Sequence, residues 1–156
     1  MATYFNTSPA NKRAILQVST STTAIASTTT GYQVPSLQNI TVNNSVGLFN
    51  WTQLDYGDQL AVPIPATNSI AANLVVDSTT FFSTNGGGGV TGLFNLSNDK
   101  TLVQFRVYFD GTNSGSTYLS GQGYVTALAL TVNPTAPVWV TPVTIAVDGP
   151  LTKGTV

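Results

Sequence analysis

The chain has 156 residues, of which 42% are hydrophobic, 10% aromatic and only 7% charged, and its formal net charge is −1. That hydrophobic content excludes an unstructured chain, which needs low hydrophobicity and high charge, and the length suits one domain with a sizeable core. Cys and His are both absent, which excludes a disulfide framework, thiolate metal sites and the usual general base of proton-transfer catalysis.

A typical soluble domain carries about 25% charged residues. Here every acid is an aspartate (Asp55, Asp58, Asp77, Asp99, Asp110, Asp148) and the bases are Lys12, Arg13, Lys100, Arg106 and Lys153. A surface this poor in charge has little electrostatic protection against association. It fits either a hydroxyl-rich secreted β protein or a subunit whose surface is covered by other copies. Residues 1–13 lack an apolar core of the signal-peptide kind, so no signal peptide is expected, and no apolar run reaches the length of a membrane helix. Without a basic stripe, a sequence-reading nucleic-acid binder is not expected.

Helix formers are scarce, and β-branched Thr and Val suit pleated strands. In chain order, residues 1–13 read as a polar N-terminal arm and residues 14–154 as a single β domain. Ala14–Val18 is a short apolar strand. Ser19–Thr30 is a Ser/Thr-rich loop or polar hairpin. Tyr32–Val34 precedes Pro35 and is extended. Leu37–Val42 is a candidate strand ended by an Asn43–Gly47 turn. Leu48–Leu54 carries Phe49 and Trp51. Pro63 and Pro65 bracket Ile64, which rules out a central strand there. Ile70–Val76 is a strand. Asp77 is placed as the N-cap of a short helix, and Val90–Leu96 is a second helix candidate beyond the Gly86–Gly89 run.

The strongest periodicity begins at Thr101. Val103, Phe105, Val107 and Phe109 alternate with Leu102, Gln104, Arg106 and Tyr108, the period-two pattern of a half-buried strand. Asp110-Gly111 ends it. Tyr118–Val132 follows, with a bulge expected at Gly121 and Gly123, and with Tyr124, Leu128, Leu130 and Val132 on one face. Val138–Val147 is a third strand, where Pro142 marks an edge or bulge and Asp148-Gly149-Pro150 stops it. The three form a meander. With the upstream strands, the expected fold is mainly β: two packed antiparallel sheets, as a sandwich or partial barrel, with one short flanking helix.

No catalytic constellation is evident. Asp55 and Asp58 are the one close acid pair, and they sit in a polar, turn-like segment that reads as a solvated loop. Asp110 and Asp148 each precede Gly, as turns require. The Asn-x-Ser/Thr sequences at Asn39, Asn43, Asn50 and Asn95 are expected by chance in this composition. Lys12 and Arg13 form a basic pair on the arm. Arg106 interrupts an almost uncharged strand face, and either lines an inner wall, pairs with an aspartate of another copy or is a plain surface residue. Tyr4 and Phe5 have no evident core of their own and are candidate anchors on a neighbour.

The stretches Gly121-Gln122-Gly123-Tyr124-Val125-Thr126 and Asp148-Gly149-Pro150-Leu151-Thr152, following a strand such as Val103–Phe109, resemble the C-terminal half of phage tail tube proteins. The segment Ala71–Phe82 is similar too. The resemblance covers residues 70–154 and extends only loosely over 1–69. One departure is Asp148, where the family's tail motif begins with glycine.

That resemblance implies six copies in a ring, with rings stacked into a tube through the arm, a long hairpin and the C-terminal tail. It implies a virion tail component, assembled in the host cytoplasm, with the tape-measure protein and viral DNA in the lumen and, in a contractile tail, a sheath outside. It implies no enzyme activity and no cofactor. On this reading Tyr4, Phe5, Lys12, Arg13, Pro150 and Leu151 are inter-subunit candidates, and Gln104 and Arg106 are lumen-facing candidates. The competing expectation is a head-decoration or carbohydrate-binding module using Trp51, Tyr56 and Trp139 as its platform.

Overall fold

The structure is a computed structural model that describes residues 14–20, 25, 32–52, 55, 57–65, 67–83 and 91–156. Expectations that fall on the arm, on most of the Ser/Thr-rich stretch, on Tyr56 and on the Gly86–Gly89 run lie outside the described residues. The strands are β1 (Ile15–Ser19), β2 (Tyr32–Gln33), β3 (Leu37–Asn43), β4 (Gly47–Thr52), β5 (Gln59–Ile64), β6 (Ser69–Val75), β7 (Leu102–Tyr108), β8 (Thr117–Leu128), β9 (Thr131–Asn133) and β10 (Ala136–Thr155). One helix, α1 (Leu93–Asn98), stands between β6 and β7.

All but two strands form an eight-stranded sheet in the order β2-β1-β7-β8-β10-β6-β3, with β9 paired to β10. β4 and β5 make a separate two-stranded sheet. Every pairing is antiparallel. β1 and β6 stand four places apart in that order, about 19 Å in a flat sheet at the usual strand spacing. Yet Leu16 and Val18 of β1 share one core cluster with Ile70, Ala72 and Leu74 of β6. The sheet therefore curls, and both layers of the core come from it. This is the partial-barrel form of the expected architecture.

The alternation read on β7 is the spine of this core. Val103, Phe105 and Val107 are at most 1% exposed, and burial of such side chains contributes about 1.5–3 kcal/mol each. From α1 come Leu93 and Leu96, and the turn at 78–82 adds Phe81. The helix begins later than the expected Val90. Gly92 lies so close under this turn that a Cβ there would sit 2.4 Å from the Phe81 and Thr80 carbonyl oxygens. Asn95 Nδ2 then donates to the carbonyls of Phe82 and Ser83, each at 3.0 Å, locking helix to turn. Asp77 caps this turn and not a helix: its Oδ1 accepts from the Thr79 and Thr80 N–H groups at 2.9 and 2.6 Å, and its Oδ2 accepts from the Thr80 hydroxyl.

Three details of the meander differ from the sequence reading. First, on its β7 side β8 passes straight through Gly121 and Gly123, paired with Phe105 and Val103. These glycines answer close approach: a Cβ on Gly123 would lie 2.1 Å from the Ala146 carbonyl oxygen, and one on Gly121 would lie 2.9 Å from the Phe105 ring. Against β10 the ladder shifts register opposite Gly121, between the Asp148–Gln122 and Thr152–Ser120 pairs, where the sequence places a bulge, and again further on, between the Ile145–Val125 and Thr144–Ala127 pairs, which leaves Thr126 as an extra residue of β8. Second, one extra residue reverses the facing of all that follow. Tyr124 is thus 41% exposed on the polar face, whereas Leu128 and Leu130 pack against the core. Third, Asp148-Gly149-Pro150 does not stop β10. The strand absorbs it as an irregularity between Asp148 and Thr152, with Gly149 at φ 89°, and runs on to Thr155 against β8. Pro142 falls where the ladder to β8 and β9 is interrupted, as its missing N–H requires.

Candidate functional site

The face of the large sheet that points away from the core is polar and almost uncharged. Register places its residues in rows across the strands. One row runs Ser19–Gln104–Gln122–Asp148, and the next runs Gln17–Arg106–Ser120–Thr152. On the other side come Tyr124–Ala146–Ser69–Asn43, then Thr144–Ala71–Thr41 and Asn73–Asn39. Amides, hydroxyls and alanines dominate, and Arg106 and Asp148 are the charged members of these rows.

Those two charges border a shallow groove of about 220 Å³ lined by Ile25, Gln104, Phe105, Arg106, Ser120, Gly121, Gln122, Asp148, Pro150 and Thr152. Gln104 Nε2 donates to Gln122 Oε1 at 3.2 Å, and Gln122 Nε2 donates to Asp148 Oδ2 at 3.4 Å. Arg106 is half-buried, with its guanidinium carbon 4.3 Å from the centre of the Tyr118 ring, a cation–π arrangement. One of its terminal nitrogens reaches the Tyr108 hydroxyl at 3.5 Å, and that hydroxyl donates to Gln17 Oε1 at 3.1 Å. The Arg106 Nε is buried without a hydrogen-bond partner. Such an orphan costs about 1–3 kcal/mol. Tyr108 and Gln17 are both buried on this polar face. Sequence periodicity assigned Tyr108 to the solvent side, but its pairing with β1 and the Tyr118 ring, 5.5 Å from its own, bury it there.

The second feature is the β4–β5 hairpin. Among the described residues its strands pair only with each other. Register puts Phe49, Trp51, Leu60 and Val62 on one face, with Phe49 and Trp51 stacked at 6.0 Å. Phe49 is 58% and Leu48 57% exposed, and Leu60, Val62 and Ile64 are exposed as well. An isolated hairpin is at best marginally stable in water, and an uncovered apolar face of this kind marks an interaction surface. Asp55 and Asp58, both exposed, lie in its turn.

The two residues expected to face a lumen, Gln104 and Arg106, therefore share the groove with Pro150, one of the expected contact residues. Leu151, also expected at a contact, packs against the chain's own core. Tyr4, Phe5, Lys12 and Arg13 lie outside the described residues. Of the expected aromatic platform, Trp51 stacks on Phe49 in the hairpin and Trp139 lines a different hollow with Phe82 and Leu130, whereas Tyr56 lies outside the described residues. Among the described residues no group of three or more acids is placed to hold a metal ion, and no helix is long and apolar enough to cross a membrane.

No family model and no curated protein matches the chain. Solved structures do. The SPP1 tail tube aligns over 92% of this chain and 77% of its own at TM-score 0.62, with 12% identity. The fold is tail-tube-like. A chain in the tail of an empty gene transfer agent particle, described with C6 symmetry, aligns over 90% of this chain and 95% of its own at TM-score 0.62 and 11% identity. A chain of the sheath–tube complex of the PVC extracellular contractile injection system aligns over 92% of this chain and 89% of its own, at TM-score 0.62 and 13% identity. Nearly the whole chain, with its curled sheet and short helix, is thus accounted for by the tail-tube-like fold.

Proposed function

We propose that this chain is a structural, non-catalytic subunit of a virion tail tube, forming six-membered rings that stack around a genome-conducting lumen. The observation that carries the reading is the likeness of fold to the SPP1 tail tube and to the gene transfer agent tail with its C6 symmetry. Two features of the chain support it independently. Its polar sheet face offers amides and hydroxyls with almost no cationic sites, so phosphates passing over it gain little from counterion release and are not held. Its hairpin bears an apolar face that stands exposed and that association would cover.

On this reading the face bearing Gln104 and Arg106 turns toward the lumen, and the tape-measure protein and viral DNA are its luminal partners. Tyr4, Phe5, Lys12 and Arg13 of the arm, residues 1–13, together with Pro150 and Leu151, contribute contacts between copies. A sheath is a further partner in a contractile tail, and assembly takes place in the host cytoplasm. Negative-stain microscopy of the purified protein tests the reading. Rings or tubes about six subunits around are expected. A protein that stays monomeric at high concentration across salt conditions overturns it.

A further inference from the structure

Arg106 and Asp148, the charged members of the polar rows, border the same groove. Register puts Arg106 two residues along β7 from Gln104, and Asp148 two strands across from Gln104. At the usual spacings that is about 7 Å along the strand and about 10 Å across it. Each charge is held by neutral groups. The guanidinium of Arg106 lies over the Tyr118 ring, and Asp148 Oδ2 accepts from Gln122, whose own oxygen accepts from Gln104. A carboxylate can only accept, so this row of amides runs from β7 through β8 and ends, donor first, on Asp148. The carboxylate is thereby kept at the groove.

Asp148 is exposed and precedes Gly149, which has φ 89°. For a turn alone asparagine would serve as well. What aspartate adds is a negative charge beside the one cation of the rows. Duplex DNA carries about one negative charge per 1.7 Å of its axis. A stretch as long as the gap between Arg106 and Asp148 therefore carries several, and it meets both residues together. With a Debye length of about 8 Å in physiological salt, the carboxylate still acts across a groove of this width.

We infer that Asp148 balances Arg106 toward a passing polyanion, so that the polar face offers duplex DNA no net cationic site. The Tyr118 ring covers one side of the guanidinium, and Asp148 offsets the charge that remains. The inference rests on the tube reading for the turning of this face to the lumen, and it adds which residue keeps the face from holding its cargo.

Fluorescence anisotropy of a short labelled DNA duplex at low salt tests it on the full chain. Asp148→Asn keeps a turn former and an oxygen for Gln122 but removes the charge. It is expected to bind the duplex about tenfold more tightly than wild type, with a salt dependence steeper by about one in logarithmic slope. Adding Arg106→Gln is expected to return both quantities to wild type. Asp99→Asn is the control. It makes the same change of net charge at an exposed residue that ends α1, on the core side of the sheet, and is expected to change neither quantity. Lys12 and Arg13 are common to all these proteins, so binding by them cancels in the comparison. Equal affinity of wild type and Asp148→Asn overturns the inference and returns Asp148 to a plain turn residue. A gain that survives Arg106→Gln, or one that Asp99→Asn reproduces, overturns it as well. With rings of the wild-type protein seen by microscopy, any of these results leaves the tube reading standing. Wild-type protein without rings overturns that reading and the luminal role of Asp148 with it, whatever the affinities.

Discussion

Asp77 shows how one side chain can hold a junction between elements. It follows β6, and its carboxylate collects the Thr79 and Thr80 N–H groups and the Thr80 hydroxyl. Burial pushes the carboxyl up, but the hydrogen bonds from Thr80 and Thr79 outweigh it and hold it below its usual value of 3.8. A carboxylate with a lowered folded pKa stabilises the fold above its unfolded value, and that contribution is lost as pH falls through the folded one. Wild-type protein is therefore expected to lose this share of its stability as pH drops below about 3.8. Asp77→Asn keeps a side-chain oxygen for the two N–H groups but removes the titration. Thermal melts of both proteins between about pH 6 and about pH 2, the range in which aspartates titrate, check this. The gap between them should narrow toward acid, and a constant gap removes Asp77 from the account.

At the scale of elements, the meander's shape depends on where side chains are missing. β8 pairs with β10 on one side and β7 on the other, and Gly123 leaves room for the Ala146 carbonyl. A methyl there meets backbone, which cannot swing aside as a long side chain can. Gly123→Ala is expected to destabilise the fold by about 1–3 kcal/mol, the usual cost of overpacking. Urea unfolding measures it, as a lower midpoint at an unchanged slope. An unchanged midpoint means that β8 and β10 separate without cost. The same pair of strands carries one irregularity opposite Gly121, where the glycines signal it, and a second at Thr126, which the sequence does not mark. Glycine signals both bulge and close approach, and the sequence of β8 contains nothing about the carbonyl that comes to lie over it. Thr126, the extra residue at the second irregularity, is an ordinary strand former.

For the whole molecule, stability and association fall on separate surfaces. The core cluster runs through the described strands, helix and turn, and it fully buries Phe81, Phe105 and Leu16. The hairpin contributes little to it. Replacing Phe49 and Val62 with Ser is accordingly expected to change monomer stability by less than about 1 kcal/mol, as for other exposed sites. It should still abolish ring formation at concentrations where the wild-type protein assembles. Calorimetry and sedimentation velocity read the two effects separately. A large fall in melting temperature means that the hairpin is part of the fold, and unaltered assembly means that its apolar face is not an interface.

Much of this protein is written in neighbouring residues. Scarce helix formers, the alternation in β7, the apolar run of β1 and the absence of His and Cys determined a β fold without the common catalytic chemistries, because composition and periodicity act over a few residues at a time. The tail-tube resemblance, carried by Gly121–Thr126 and Asp148–Thr152, agrees with the fold that the strands build. Only the tertiary structure decided which strands meet and what their far faces become. Tyr108 and Gln17, separated by 91 positions, hydrogen-bond in the interior because β1 inserts beside β7. Arg106 acquires a groove, an aromatic ring and an unsatisfied Nε only once β8 and β10 are laid alongside it. The uncovered face of the hairpin likewise becomes visible only when no strand of the large sheet takes it up. Long-range pairing set each of these, and a one-residue shift of register, as at Thr126, would have turned the same side chains the other way.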